Sequence, residues 1–195
     1  MKQIIILFLL IVQSAIAQNS LFNQVEAKNI GPTIMSGRVV DLAVNPKNPT
    51  EFYVAYATGG LWYTNNNGTS FTPVMDTAET VNCGSVTVDW NSGTIWVGTG
   101  EVNASRSSYA GVGVLKSSDK GKTWENLGLK DSHHISRIWV NPSNLNEIVV
   151  AAVGHLYTTN KERGIYNSTD GGKSWKQTLF VAEDAGIIDL AVSKT

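Results

Sequence analysis

The chain alternates short runs of β-branched and aromatic residues with clusters of Asn, Pro, Gly and Ser. Runs of this kind, bounded by turn-forming residues, predict β-strands. One set of related runs recurs along the chain and is followed by Asn-Pro or a similar turn. Its members are residues 38–44, 85–90, 137–140 and 187–192. Beyond residue 18 no stretch has a helical hydrophobic period, so the pattern predicts an all-β protein.

Three further strands are predicted after each of the first three runs. The second strands are predicted at 51–57, 94–99 and 147–153, and the third strands at 61–64, 114–117 and 165–168. The fourth strands are predicted to begin at Phe71, Trp124 and Trp175. Four short antiparallel strands in about 50 residues is the size of one β-propeller blade.

An eight-residue segment recurs between the predicted third and fourth strands, at 64–71, 117–124 and 168–175. Its pattern is hydroxyl, any residue, Asp or Asn, any residue, Gly, any residue, hydroxyl, aromatic. The Asp or Asn can accept backbone N–H groups within a turn, and the Gly suits a positive φ. The aromatic side chain is large enough to fill the gap between neighbouring blades. The structural residues of this repeated turn are Asn66, Gly68, Phe71, Asp119, Gly121, Trp124, Asp170, Gly172 and Trp175.

These residues resemble the Asp-box (BNR) repeat of β-propeller proteins. That group includes sialidases, xyloglucanase-type glycoside hydrolases, sortilin-type receptors and photosystem-assembly-factor-like proteins. Segments 29–32, 59–62, 98–101 and 131–135 look most like large secreted bacterial propellers, often called glycosyl hydrolase or sortilin N-terminal-like. The resemblance implies that the repeated turns are structural and remote from any active site.

The expected architecture is a partial ring of about three four-stranded antiparallel blades and the inner strand of a fourth. The blades are predicted at about 36–77, 83–129 and 135–180, and the last inner strand at 186–192. Complete propellers have about four to eight blades. We therefore expect the N-terminal part of a longer propeller. The alternatives are a gene fragment or a ring completed by self-association through open edges.

The first 17 residues have the layout of a cleavable secretory signal. Lys2 precedes an apolar run at 4–12, and small residues at 15 and 17 predict cleavage after Ala17. The run is shorter than the roughly 20 residues of a membrane-spanning helix, so no span is expected after cleavage. A buried N-terminal helix or a membrane anchor is the alternative. Residues 18–35 then lead into the first blade, and the mature chain is expected to be secreted, periplasmic or cell-surface.

Composition narrows the classes of function. The chain has 15 basic and 16 acidic residues, so it lacks the basic excess that nucleic-acid binding requires. Its single cysteine, Cys83, excludes an intramolecular disulfide and a cysteine-based zinc site. The sequence contains no complete phosphate, calcium or dinucleotide motif, so neither a metal nor a cofactor is expected.

Blade topology places the loops between second and third strands on one face, together with the linkers between blades. We call this face the loop rim. Long loops on a rigid scaffold commonly carry function, and here they span 100–112 and 154–163. The candidate ligand-binding residues of the loop rim are Arg38, Glu101, Arg106, Tyr109, His133, His134, Arg137 and Tyr157.

Two carboxylates and two arginines suggest specific chemistry. Glu101 and Asp131 are candidates for an acid/base pair in glycoside cleavage, which needs two facing carboxylates. Alternatively, both cap turns or pair with Arg106. Arg38 and Arg137 each begin an inner strand and could bind an anion bidentately, or pair with a carboxylate of the inner rim.

The remaining candidates are aromatic. His133 and His134 are adjacent, so on a strand their side chains would point to opposite faces, which makes them a poor metal pair. Tyr109 and Tyr157 could stack on sugar rings, or pack within the protein.

The sequence thus predicts an exported propeller segment that serves as a binding or scaffold module for protein or glycan ligands. The alternative is the N-terminal part of a secreted glycoside hydrolase. Xyloglucanase-type enzymes, which the chain resembles, take their catalytic carboxylates from two facing propellers. A third interpretation is a truncated fragment without function.

Overall fold

Three four-stranded antiparallel sheets account for the strands in the computed structural model, which describes residues 37–104 and 108–193. The described residues belong to the compact unit Gly31–Thr195. The predicted signal at 1–17, the leading segment 18–35 and Arg106 lie outside the described residues.

Each sheet is a meander whose strands pair in chain order. Blade 1 contains β1 Val39–Val44, β2 Phe52–Tyr56, β3 Gly60–Thr64 and β4 Thr72–Pro73. Blade 2 contains β5 Cys83–Asp89, β6 Thr94–Thr99, β7 Val114–Ser117 and β8 Glu125–Asn126. Blade 3 contains β9 Ile135–Val140, β10 Ile148–Ala152, β11 Gly164–Ser168 and β12 Lys176–Leu179.

The innermost strands pack side by side, with β5 against both β1 and β9. Each inner strand carries a register irregularity at the same place, at Val40, Gly84 and Ser136. Such bulges bend a strand and increase its twist. At Gly84 the neighbouring blade comes so close that an added Cβ would lie 2.3 Å from the Ile135 carbonyl oxygen. Only glycine allows this approach of blade 3 to blade 2.

Two hydrophobic clusters fill the gaps between the blades. Between blades 1 and 2 the buried residues include Leu61, Met75, Cys83, Ile95 and Val97. Between blades 2 and 3 they include Trp96, Ile135, Ile148 and Val150. Each large apolar side chain removed from water contributes roughly 1.5–3 kcal/mol. Burial also raises the pKa of the Cys83 thiol to about 12, so this cysteine is a core residue without reactivity at neutral pH.

The inner strand predicted at 186–192 is not paired into a sheet. The Ile187 amide donates to the Ala152 carbonyl at 3.2 Å, and its own carbonyl accepts from Ser136 Oγ at 2.6 Å. These bonds fix the segment against blade 3. Strand pairing would also need a second strand beside this segment, and none occurs there among the described residues.

In the part of the chain that the structure describes, helix is confined to a 3-10 turn at Lys130–Ser132, which is far too short to cross a membrane.

Candidate functional site

The repeated turns form a closed hydrogen-bond network at the junction of third and fourth strands. In blade 2, Ser117 Oγ donates to Asp119 Oδ1 at 2.8 Å and accepts the Gly121 amide at 2.7 Å. The Thr123 hydroxyl and amide both donate to the Asp119 carboxylate, at 2.6 and 2.9 Å. These donors lower the pKa of Asp119 to about 2. The carboxylate is therefore fully used within the turn.

The other two copies have the same geometry. Ser168 and Asp170 repeat the bonds of blade 2, and Thr64 and Asn66 repeat most of them with an amide in place of the carboxylate. The glycine of each copy has a positive φ, as predicted for Gly68, Gly121 and Gly172. The network satisfies backbone groups and leaves little capacity for a ligand, which agrees with a structural role.

Glu101 lies on the loop rim, directly after β6 and Gly100. Its side chain is fully buried, and both carboxylate oxygens accept hydrogen bonds from Arg38. The Arg38 Nε–Glu101 Oε1 distance is 2.5 Å, and Nη2 donates to Oε2. The bidentate pair joins the start of blade 1 to blade 2 across 63 residues of sequence. Arg38 is therefore the partner of the Glu101 carboxylate. This is the same carboxylate that the sequence predicts as one of two candidates for acid/base chemistry.

His134 is buried beside this pair. It forms a hydrogen bond with the Glu101 backbone, and its Nδ1 is buried without a partner among the described residues. Burial is the main reason that the pKa of His134 falls to about 4. The imidazole is therefore neutral at physiological pH.

His133 contacts the His134 ring edge-on, with the centroids 6.3 Å apart, and stacks on His155. The ring centroids of His133 and His155 are 3.7 Å apart, with an interplanar angle of 18°. Desolvation and the neighbouring His155 lower the pKa of His133. His155 Nε2 lies 3.0 Å from the backbone oxygen of Asp131, whose residue is exposed to solvent. No group of three metal-ligating side chains occurs among residues 37–104 and 108–193.

Glu101 and Asp131 therefore occupy opposite environments, one buried and one exposed. Within the described residues no hydrogen bond or ion pair joins their carboxylates. Their use as an acid/base pair stays a prediction, because such carboxylates face each other across a substrate and need no direct contact.

Arg137 forms ion pairs across the inner strands. Its Nη1 lies 3.2 Å from Asp41 Oδ2 of blade 1, and its Nε donates to Asp189 Oδ1 at 2.7 Å. Asp41 also accepts the Val86 amide at 3.0 Å. The hydrogen bond that Arg137 donates to Asp189 is the main cause that raises the pKa of Arg137. Arg38 and Arg137 thus both have carboxylate partners on the inner rim, which is the alternative that the sequence left open.

The loop 154–163 is organised by Arg163, which sequence reasoning did not single out. Arg163 is buried, and its guanidinium donates to the carbonyls of Val153, His155 and Thr158. Its Nε and the nearby Asn160 Oδ1 are buried without partners among the described residues. A loop arginine is normally exposed, and no local signal distinguishes this one.

The two loop tyrosines are strongly exposed. Tyr109 is 56% accessible and Tyr157 is 72% accessible. They belong to the long loops of blades 2 and 3. The loop rim therefore combines a rigid base with exposed aromatic side chains.

Comparisons with known proteins agree with this architecture. No family model matches the chain. An ancestral GH74 enzyme superposes with a TM-score of 0.60 at 20% identity, over 83% of this chain and 21% of the enzyme. The fold is a β-propeller. The GH74 enzyme of Niastella koreensis has a TM-score of 0.54 at 18% identity, over 70% of this chain and 22% of its own.

One curated protein resembles the propeller at the level of sequence. The vacuolar protein sorting/targeting protein 10 of Kluyveromyces lactis is 37% identical over 82 residues, which are 42% of this chain and 5% of that protein. The chain thus spans about a twentieth of this relative and about a fifth of the GH74 chains. At these identities the solved structures establish the propeller fold alone.

Proposed function

We propose that the chain is a segment of an exported Asp-box propeller and binds a protein or glycan ligand through its loop rim. The observation that carries this proposal is the bidentate pair between the exposed Arg38 and the buried Glu101. It joins two blades at the base of the rim, and Tyr109 and Tyr157 of the rim loops are exposed. A rigid base with exposed aromatics suits binding, because little side-chain conformational freedom is lost on association.

The Asp-box assignment is supported by the three repeated turns. All three share the hydroxyl-to-Asp or hydroxyl-to-Asn hydrogen bond and the positive-φ glycine. Export is supported by the signal-like residues 1–17. The N-terminal sequence of the protein recovered after expression in a secreting host should begin at Gln18, and an uncleaved N-terminus would contradict export.

The binding test uses the processed chain on a glycan array, followed by titration of any glycan that is retained. Tyr109→Ala combined with Tyr157→Ala should weaken binding about tenfold, because each ring contributes up to roughly 1.5 kcal/mol to stacking. Lys173→Ala, an exposed change in a repeated turn, is the matched control and should bind normally. Equal affinity of the double variant and the control would reject the loop rim as the site.

A glycoside hydrolase is the second candidate, and the similarity to two GH74 structures favours it. Release of reducing sugar from a polysaccharide panel separates the candidates. As a binding module the chain should release none, and the variants Glu101→Gln and Asp131→Asn should change capture only. Turnover that disappears in either variant would establish the enzyme.

A further inference from the structure

A cavity of about 300 Å³ opens between blades 1 and 2, on the face that carries the repeated turns. It lies opposite the loop rim and shares no residue with it. Its volume is at the lower end of the range for small-molecule sites. The residues that define its chemistry are Asn45, Glu51, Tyr53, Tyr63, Trp90 and Lys120.

Three aromatic side chains form one wall of the cavity. The ring centroids of Tyr53 and Tyr63 are 4.9 Å apart, and those of Tyr53 and Trp90 are 5.6 Å apart. Tyr53 is only 4% exposed, yet within the described residues no group forms a hydrogen bond with its hydroxyl. Burial raises the pKa of Tyr53 to about 12, so the hydroxyl remains a donor at neutral pH. The hydroxyl oxygen is not among the buried unpaired atoms, so it is open to the cavity that Tyr53 lines and is available to a ligand.

A carboxylate and an ammonium group complete the lining. Glu51 accepts hydrogen bonds from Tyr63 Oη at 2.5 Å and from Asn45 Nδ2 at 2.6 Å. These bonds, with the charge of Lys120, lower the pKa of Glu51 and keep it ionised. The two opposite charges largely cancel. Glu51 repels an anionic ligand and Lys120 repels a cationic ligand. A neutral ligand with many hydroxyl groups therefore fits best.

Part of this arrangement has a structural explanation. In blade 3, Asn141 Nδ2 donates to Glu147 Oε2 at 2.7 Å, so the Asn–Glu pair is a means of closing the hairpin. The aromatic wall is not repeated in blade 3. The positions in blade 3 that correspond to Tyr53 and Tyr63 hold Val149 and Asn167, paired in β10 and β11 in the same register. The hairpin therefore does not require the aromatic wall.

We propose that this cavity binds a neutral sugar residue, independently of the loop rim. The apolar face of the sugar packs on the aromatic wall, as pyranose rings have one such face. Its hydroxyl groups accept from the Tyr53 hydroxyl and from Lys120, and donate to Glu51.

The test measures saturation transfer from the full processed chain to four methyl glycosides: glucoside, galactoside, mannoside and N-acetylglucosaminide. Affinity for the strongest is then measured by titration. Tyr53→Phe removes a hydroxyl that no described residue binds, so the melting temperature should be unchanged while the affinity falls about fivefold to tenfold. A decrease of this kind is the result expected.

Lys120→Asn removes the ammonium group while keeping the backbone. Lys120 has a φ of 63°, and Asn67 occupies the corresponding place in blade 1 with a φ of 57°. Affinity should again fall, whereas the control Lys173→Asn should bind as the parent chain does. Folding of each variant is checked by thermal unfolding.

Two outcomes at the cavity would overturn the inference. They are no saturation transfer to any glycoside, and unchanged affinity in both Tyr53→Phe and Lys120→Asn. The substitutions Tyr109→Ala and Tyr157→Ala should leave glycoside affinity unaffected. If they abolish it, the sugar binds at the loop rim, and this inference fails while the proposed function stands.

Discussion

At the scale of the residue, the first hydroxyl of each repeated turn organises the whole turn. Ser117 Oγ is buried and both donates and accepts, since it bonds the Asp119 carboxylate and the Gly121 amide. Thr64 has the same two partners in blade 1, with Asn66 and Gly68 in their places. A single oxygen therefore links the third strand to the positive-φ residues that follow it.

We predict that Ser117→Ala lowers the free energy of unfolding by about 1–3 kcal/mol, because the Gly121 amide is left buried without an acceptor. Ser117→Thr should cost less, since Thr64 serves this role in blade 1. Urea denaturation at neutral pH measures both. Equal losses for Ala and Thr would show that side-chain volume, and not the hydroxyl, is what matters at this position.

At the scale of the element, the aromatic residue that ends each repeated turn ties its blade to the preceding one. Trp124 Nε1 donates to the Val74 carbonyl at 3.0 Å, and Trp175 Nε1 donates to the Leu127 carbonyl at 2.7 Å. Phe71 occupies this place in blade 1 and packs edge-on against Phe52 at 6.2 Å. The indole N–H of Trp124 and Trp175 therefore adds a hydrogen bond between blades to the packing of the ring.

For Trp175→Phe we predict a loss of about 1 kcal/mol, from one hydrogen bond, and for Trp175→Ala a larger loss of up to roughly 3–5 kcal/mol from the lost packing. Trp139→Phe is the matched control, since no described residue bonds the Trp139 indole. Chemical denaturation of the three variants gives the comparison. If Trp139→Phe lowers the free energy of unfolding as much as Trp175→Phe does, the lost hydrogen bond is not the cause.

At the scale of the whole molecule, charged groups join inner strands that are distant in sequence. Arg38 of blade 1 reaches Glu101 of blade 2, and Arg137 of blade 3 reaches Asp41 of blade 1. Only the first pair has a fully buried member, so it matters more to the fold than the second, half-buried pair. His134 is buried next to it and stays neutral.

The lowered pKa of His134 also predicts how the free energy of unfolding changes with pH. The pKa of the His134 imidazole is about 4 in the folded protein, against an ordinary value of 6.5. Between pH 6.5 and 4 the imidazole therefore binds a proton in the unfolded chain but stays mostly neutral in the folded protein. Stability should therefore fall from pH 6.5 to 4, by about 2 kcal/mol between pH 7 and 5. The lowered pKa of His133 acts in the same direction.

Urea midpoints between pH 5 and 7 measure this slope. This range lies above the ordinary pKa of carboxylates, so their titration contributes little. His134→Asn should flatten the profile, and Asn82 shows that Asn is accepted before the inner strand of blade 2. An unchanged slope in the variant would assign the pH dependence to other groups.

Much of the fold was accessible from the sequence because the signals are local. The strands at Thr94–Thr99 and Val114–Ser117 have the predicted bounds, since β-branched runs and the repeated turn define both ends. The segment 186–192 carries the same signal but no ladder. Strand formation requires a partner, which a strand's own residues cannot supply.

The sequence by itself determined the all-β blades, the repeated turns and the face on which the long loops emerge, because each depends on residues close together in the chain. Tertiary structure alone decided that Glu101 is paired and buried, that Arg163 lies inside its loop, and that Tyr53 meets Trp90 beside a cavity. These features arise where separate blades meet. Side-chain burial, ion pairing and cavity shape there depend on the packing distance between sheets, which no local pattern encodes.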